Sequence, residues 1–553
     1  MALEARPLFS LLDDAIASYP DHRCIDFLGR RYDYRSVGDL VAKAARGLQR
    51  LGVRKGVKVG LLLPNCPYYV ICFFAVLKAG GIVINYNPLS AERELREQID
   101  DSGTDILVTL DLAALYCKLP RLSGQCPLRK VILCSMRAAL PWPESLIFRL
   151  FKRGERADVP RDAAYVAFGS LIANDGDYVA HEIDPHVDIA ALQYTGGTTG
   201  VPKGVCLTHG NLYTNAMQIT SWFTGAEPGR ERILAVLPFF HAFGMTAVMN
   251  LAITVGGELV MLPRFDVHQV LRSIERKKAT LFLGVPTIFK AIADFPRIAG
   301  YDLSSLKVCV SGGDTLPLDL QERYEALTGC RLTEGYGLTE CSPVVTCNPF
   351  AGAGKRGSVG LPLPRTTVEI VSLSDGRTPV AVGQRGEISV SGPQVMASYW
   401  RRPAETVDVL IEGRLRTGDV GYMDAEGYTY ILDRLKDVII TGGYNVYPRY
   451  VEAAIRLHPG VADAAVIGVP DSYWGQIVKA YIVRRPAAAL DERGILDFLS
   501  DKLSPIEMPK QIEFRGSLPK SLIGKILRRG LSPASGPNGP PLGTGGRPGA
   551  QTT

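Results

Sequence analysis

Between two short apolar runs, Ala190-Ala191-Leu192 and Val205-Cys206-Leu207, lies the stretch Tyr194-Thr195-Gly196-Gly197-Thr198-Thr199-Gly200-Val201-Pro202-Lys203-Gly204. No other part of the chain limits its fold as strongly. Four glycines, three threonines and a lysine fall within these eleven residues. Glycines let backbone N–H groups approach an anion and accept φ > 0, the hydroxyls add donors, and Lys203 adds a point charge. The pattern predicts a hairpin-like loop between two apolar strands, shaped to hold a polyphosphate. It does not match the P-loop, which needs Gly-Lys adjacent before Ser/Thr and a helix directly after. Here Val201 and Pro202 separate Gly200 from Lys203, and proline opposes helix entry for the residue before it. An ordinary glycine-rich turn has the same composition, so the rest of the chain must decide between the two.

At 553 residues the chain exceeds what one core usually serves, so two or more domains are expected. Hydrophobic content of 46% and charged content of 21% are those of a globular enzyme. The net charge of +6 is mild, and without a Lys/Arg run or a binding motif a nucleic-acid role has little support. The eleven cysteines show no C-x-x-C and no metal-like cluster, which suggests reduced thiols in a cytoplasmic compartment. The start, Met1-Ala2-Leu3-Glu4-Ala5-Arg6, shows no secretory signal. The longest apolar run, Tyr68 to Ile84, is interrupted by Lys78 and Gly80-Gly81 and reads as a buried helix leading into a strand.

Helical and strand patterns alternate through the first part. Val37 to Leu51 and Tyr68 to Leu77 read as helices; Val57 to Leu63, Gly81 to Ile84 and Ile106 to Thr109 read as strands. Beyond the loop come strands at Ile233 to Leu237, Glu258 to Met261, Leu281 to Val285 and Val308 to Ser311, with a helix at Val267 to Lys277. This predicts an α/β fold with mainly parallel sheets. Thr367 to Ser391 changes to short strands with turns, a β-rich subdomain. From Lys436 a small α+β unit is expected, with helices at Val451 to His458 and Ile495 to Leu503 and strands at Val461 to Val469 and Lys479 to Val483. Three segments follow from this reading: 1–435, 436–530, and a tail, 531–553, with 6 Gly and 5 Pro, expected to be disordered.

Five motifs occur in order: the glycine-rich loop, Glu334-Gly335-Tyr336-Gly337-Leu338-Thr339-Glu340, Arg416-Thr417-Gly418-Asp419, Asp433-Arg434-Leu435-Lys436-Asp437, and Pro519-Lys520-Ser521-Leu522-Ile523-Gly524-Lys525. Together, over roughly residues 10 to 530, they resemble the acyl-adenylate-forming superfamily. Leu192-Gln193-Tyr194 and Gly443-Tyr444-Asn445-Val446-Tyr447-Pro448 look most like bacterial long-chain fatty-acyl-CoA synthetases. The resemblance implies a two-step reaction: a carboxylate attacks the α-phosphate of ATP, and coenzyme A then displaces AMP from the acyl-adenylate. The first step joins two anions, so positive charge and N–H donors are its physical requirement. Thr195, Gly196, Gly197, Thr198, Thr199, Gly200 and Lys203 would close over the β- and γ-phosphates. Tyr336, within Glu334 to Gly337, would lie along the adenine with Gly312 and Gly313 as the other wall. Thr339 would bond the α-phosphate and Glu340 would hold Mg²⁺. Asp419 and Arg434 would take the ribose, and Lys525 would bridge the carboxylate and the α-phosphate. Lys436 would be the hinge that exchanges Lys525 for the loop of Gly443 and Tyr444 when coenzyme A enters. His241 would contact the carboxylate, with a structural histidine as the alternative. Around it Phe243, Gly244, Met245, Val285, Pro286 and Val344 suit an acyl chain.

Two features depart from close relatives. Ile506-Glu507 stands where an aromatic-basic pair is usual, which puts part of the coenzyme A phosphate contact in doubt, and the tail replaces a charged helical end. Residues 141–153, Pro-Trp-Pro-Glu-Ser-Leu-Ile-Phe-Arg-Leu-Phe-Lys-Arg, could lie in a membrane interface on the cytoplasmic face or form a surface helix packed on its own domain. The resemblance also leaves room for a homodimer. Two other functions compete: a fatty-acyl-AMP ligase serving a carrier protein, and a non-catalytic nucleotide- or fatty-acid-binding protein.

Overall fold

The structure is a computed structural model, and it describes residues 4–119, 128–151, 153–157, 163–195, 202–352, 354–442, 444–486, 488–520 and 526–531. The chain divides into two compact units: the first runs to Thr417 and takes in Tyr422–Tyr430, and the second holds Gly418–Gly421 and the chain from Ile431.

The first unit holds the expected α/β alternation in two large sheets. One has eight strands, with the parallel core 189–195, 82–85, 58–62, 106–110, 130–134 and 165–167, edged by the antiparallel strands 203–208 and 398–399. Its inner strands are mainly apolar, as in Ile106–Leu110, buried throughout, as a sheet covered on both faces requires. Helix Pro67–Lys78 packs here. Proline in its first turn and full burial from Pro67 to Leu77 explain why its sequence is apolar all round.

The other sheet has nine strands. Its parallel part runs 332–337, 308–311, 281–284, 232–235, 258–261 and 23–27, and antiparallel strands flank it at both edges. The expected strands at 233–237 and 281–285 end earlier, at Ala235 and Gly284. After Ala235 the chain leaves the sheet and enters a π-helix, Phe243–Asn250, that continues as an α-helix to Thr254. The β-rich subdomain is present as antiparallel strands 367–371 and 386–391, joined by 414–423 and 410–411.

In the second unit strands 444–446, 439–441, 475–484 and 461–471 pair antiparallel, and 511–515 joins 475–484 in parallel. Helices Pro448–Arg456 and Glu492–Leu499 cover it, burying Val451, Ile455, Ile495 and Leu499 against Val466 and Ala480. Both helices begin earlier than the apolar spacing alone indicated. Leu531 is buried and its carbonyl accepts from Tyr481 Oη at 2.6 Å. The rest of the tail, 532–553, lies outside the described residues.

Candidate functional site

The glycine-rich loop is carried by a hairpin, as its flanks required. Strands Ile189–Thr195 and Lys203–Thr208 pair antiparallel, with Thr195 opposite Lys203. Gly196, Gly197, Thr198, Thr199 and Gly200 lie outside the described residues. Lys203 pairs with the Glu405 carboxylate, and its ammonium sits 5.0 Å from the centre of the Tyr399 ring. Tyr399 Oη in turn donates to Glu340 Oε1 at 2.7 Å. One aromatic side chain thus stands between the cation of the phosphate loop and the carboxylate expected to take Mg²⁺. Backbone pairing places it: Tyr399 lies opposite Val205 in the sheet, and Met396 N donates to Glu340 O at 2.7 Å. Sequence reasoning missed Tyr399 and Glu405, which lie some two hundred residues from Lys203 in no motif that marks them.

Strand Leu332–Gly337 carries Glu334, Gly335, Tyr336 and Gly337, and a single 3₁₀ turn, Thr339–Cys341, follows. The Glu334 carboxylate accepts from Leu316 N at 3.0 Å, which ties the loop bearing Gly312 and Gly313 to this strand. Gly313 has φ +82°, a conformation only glycine adopts without strain. Gly337 is glycine for another reason: a Cβ there would stand 2.1 Å from Pro343 O. Thr339 and Glu340 are half-buried beside this turn.

An apolar cavity opens where these pieces meet. Strands 281–284, 308–311 and 332–337 run parallel, so Gly312, Gly313 and Tyr336 stand together at their C-terminal ends. The cavity runs back along the sheet to Val308 and Leu281, a depth of ~13 Å for four residues of strand. Phe243, Ala247 and Leu251 of the π-helix and its extension form the facing wall, and among the described residues no charged side chain lines it. A π-helix has a different period from the α-helix and often marks a functional site. Of the residues expected around an acyl chain, Phe243 and Val344 line this cavity. Met245 is turned instead toward Asn85, whose Nδ2 lies 3.3 Å from its sulfur. His241, just before the π-helix, is largely buried, and burial pushes its pKa down to about 4. It is therefore neutral near pH 7.

In the second unit Arg434 Nε lies 2.7 Å from Asp419 Oδ1, and Asp419 is buried. The two residues expected at the ribose are thus brought together. Lys436 is exposed in the short turn Leu435–Asp437, and Tyr444 is exposed on a strand edge. Gly443 and Lys525 lie outside the described residues. Asp433, from the same motif as Arg434, has a structural part: fully buried, it accepts from Arg434 N and Arg449 N at 2.8 and 2.7 Å. Glu507, the departure from the usual basic residue, accepts from Ser504 N and Oγ at 3.0 and 2.7 Å and so closes its own turn.

Among the described residues no group of three His, Cys, Asp or Glu side chains could hold a metal ion. Mg²⁺ typically takes one or two carboxylates and completes its shell with phosphate oxygens and water, which Glu340 alone can anchor. Also among the described residues, no helix is long and apolar enough to cross a membrane.

The chain is similar over nearly its whole length to known proteins. A long-chain-fatty-acid–CoA ligase of Bacillus subtilis (strain 168) is 42% identical over 96% of this chain and 95% of its own. The enzyme of that name from Escherichia coli O6:H1 is 37% identical over 95% and 94%. Among solved structures, ATP-bound MatB from Rhodopseudomonas palustris superposes with a TM-score of 0.85 at 28% identity, covering 96% of this chain and 98% of that one. The AMP-binding enzyme family matches residues 12–400 and the AMP-binding enzyme C-terminal domain matches 450–525. The chain belongs to the AMP-binding enzyme family.

Proposed function

We propose that this protein is a fatty acid–CoA ligase of the long-chain class, which converts a fatty acid and ATP to an acyl-adenylate and then to acyl-CoA, AMP and pyrophosphate. The observation that carries the substrate class is the uncharged cavity behind Gly312 and Tyr336, which suits an alkyl chain and offers nothing to pair with an amino acid's ammonium group. His241, two residues before the cavity-lining Phe243, donates to the carboxylate. Lys203 and the loop from Thr195 to Gly200 receive the β- and γ-phosphates, Thr339 receives the α-phosphate, and Glu340 holds Mg²⁺, whose charge offsets that of the phosphates. Tyr336 lies along the adenine, and Asp419 with Arg434 takes the ribose. Lys525 offsets the charge that gathers between carboxylate and α-phosphate. Lys436 is the hinge between a large domain, 1–435, and a small one, 436–530, and the loop of Gly443 and Tyr444 serves the coenzyme A step.

The substrate class is tested with a panel of saturated acids of increasing length against aromatic and amino acids, measuring AMP formed with coenzyme A and with acyl carrier protein. AMP formation that depends on coenzyme A and is confined to fatty acids is the expected result. Preference for an aromatic acid, or for the carrier protein, overturns the assignment. Light scattering on the same preparation separates monomer from homodimer.

We also propose peripheral contact with the cytoplasmic face of a bilayer through 141–153. Trp142, Leu146, Ile147 and Leu150 are exposed on and before helix Glu144–Phe151, beside the basic residues Arg149, Lys152 and Arg153 in the sequence. Cosedimentation with anionic vesicles should fall in Trp142→Ser/Leu150→Ser, and unchanged cosedimentation refutes the contact.

A further inference from the structure

Between the end of strand Arg232–Ala235 and the π-helix, the chain crosses the interior without regular structure, and Leu237, Phe239 and Phe240 are buried. A buried irregular backbone needs partners for its N–H and C=O groups. Three side chains from elsewhere, Asn65, Tyr69 and Gln193, supply them, and a fourth, Asn85, links Tyr69 to Gln193. Asn65 Nδ2 donates to Ala235 O and Leu237 O at 3.2 and 2.9 Å, and its Oδ1 accepts from Phe239 N at 2.9 Å. Tyr69 Oη lies 2.7 Å from both Phe239 O and Asn85 Oδ1, so one proton serves two acceptors. Asn85 Nδ2 donates to Gln193 Oε1 at 3.0 Å, and Gln193 Nε2 donates to Phe240 O. All four side chains are at most 3% exposed. Strand register sets the central link, since Asn85 and Gln193 are partners on neighbouring parallel strands.

We infer that Tyr69, Asn85 and Gln193 form a positioning unit that fixes His241 relative to the strand from which the phosphate loop departs. Gln193 stands two residues before Thr195 on that strand and holds the carbonyl of the residue before His241. One buried amide therefore ties the backbone just before His241 to the strand that ends at Thr195. This rests on the roles proposed above for His241 and the loop. Alignment of the two anions is the step such a unit serves, and a displacement of about 1 Å can cost 10²-fold in rate. Its loss should lower turnover in adenylation more than it weakens ATP binding.

Gln193→Glu tests this without removing volume. The amide is both donor and acceptor, as is a neutral carboxylic acid, whereas a carboxylate only accepts. Burial favours the neutral acid, so the link should hold at low pH and break as the acid ionises. Between pH 6 and 8.5 the neighbouring titratable side chains do not change charge: burial holds Tyr69 well above its usual range and His241 at about 4. Pyrophosphate release is measured on the acid the wild type uses best, with that activity established first. The variant should stay within about twofold of wild type at pH 6 and fall roughly tenfold behind at pH 8.5, with KM for ATP little changed. A pH profile parallel to wild type, in a variant with the wild-type melting curve, overturns the inference. Tyr69→Phe removes only the shared proton and serves if Gln193→Glu does not fold. A lower kcat at unchanged KM for ATP supports the unit, and an unchanged kcat overturns it.

Discussion

Replacing Gly337 by alanine should damage both stability and adenylation. The added Cβ would stand 2.1 Å from Pro343 O, 2.8 Å from its carbonyl carbon and 3.1 Å from Val344 Cα, all backbone atoms that cannot rotate away. Reaching an ordinary separation requires the two chain segments to part by about 1 Å, an overpacking that costs about 1–3 kcal/mol. Leu338 N donates to that same Pro343 O at 3.0 Å, and the bond does not survive such a shift. Its loss adds about 0.5–1.5 kcal/mol, for a total of about 1.5–4.5 kcal/mol. In a unit this large that corresponds to a Tm lower by about 3 °C. The displaced segment carries Thr339 and Glu340, so pyrophosphate release should fall by about 10²-fold. Calorimetry and a pyrophosphate-release assay on one preparation measure both. Gly300→Ala is the control, since nothing lies within 4 Å of a Cβ built there. Wild-type Tm and rate in Gly337→Ala, or equal damage in Gly300→Ala, would refute the steric argument.

Lys525→Ala should suppress acyl-adenylate formation by about 10²-fold while thioester formation from added adenylate survives, and Lys436→Pro should do the reverse; equal loss of both half-reactions in either variant contradicts its role. Glu340→Gln should shift the Mg²⁺ titration to higher concentration, because an amide oxygen binds a hard dication less well. An unchanged titration removes Glu340 from the metal site. His209 and His241 are both held neutral by burial down to about 4, and His209 Nδ1 accepts from Leu8 N at 3.0 Å. An unfolded histidine takes its proton near 6.5, so below that pH the unfolded chain binds protons the folded one refuses. Stability should be full above about pH 6.5 and fall toward pH 4, by up to about 3 kcal/mol for each histidine. Urea midpoints at pH 7.5 and 4.5 measure this, and a flat profile counts against it.

The sequence made the α/β plan readable because its strands and amphipathic helices have distinct periods. Val37 to Leu51 and Val267 to Lys277 show one apolar face and fold as helices over 34–50 and 267–277. The π-helix was not readable in the same way: Phe243 to Asn250 is nearly uniform in apolarity, so no period distinguishes one helix type from another. Motifs located the hairpin of Thr195 and Lys203, the Tyr336 strand and the Asp419–Arg434 pair. They could not locate Tyr399, Glu405, Asn85 or Tyr69, whose parts depend on contacts between segments far apart in the chain. Gln193 was visible only as part of the resemblance, because an amide within an apolar strand has no signature until its partners are in place.

The nine-stranded sheet also has a consequence for how the chain is made. Its strand Arg23–Phe27 pairs in parallel with Glu258–Met261, the neighbour that completes the parallel part of the sheet. During synthesis the first strand must wait for a partner roughly 230 residues later, which at 5–20 residues per second is roughly 12–46 s. Through that interval Cys24, Ile25 and Phe27, all fully buried in the finished protein, are held only by the local hairpin with Arg30–Asp33. A lone two-stranded hairpin is marginal in water. Until that partner is made, the apolar face of this nascent strand stays open to other contacts.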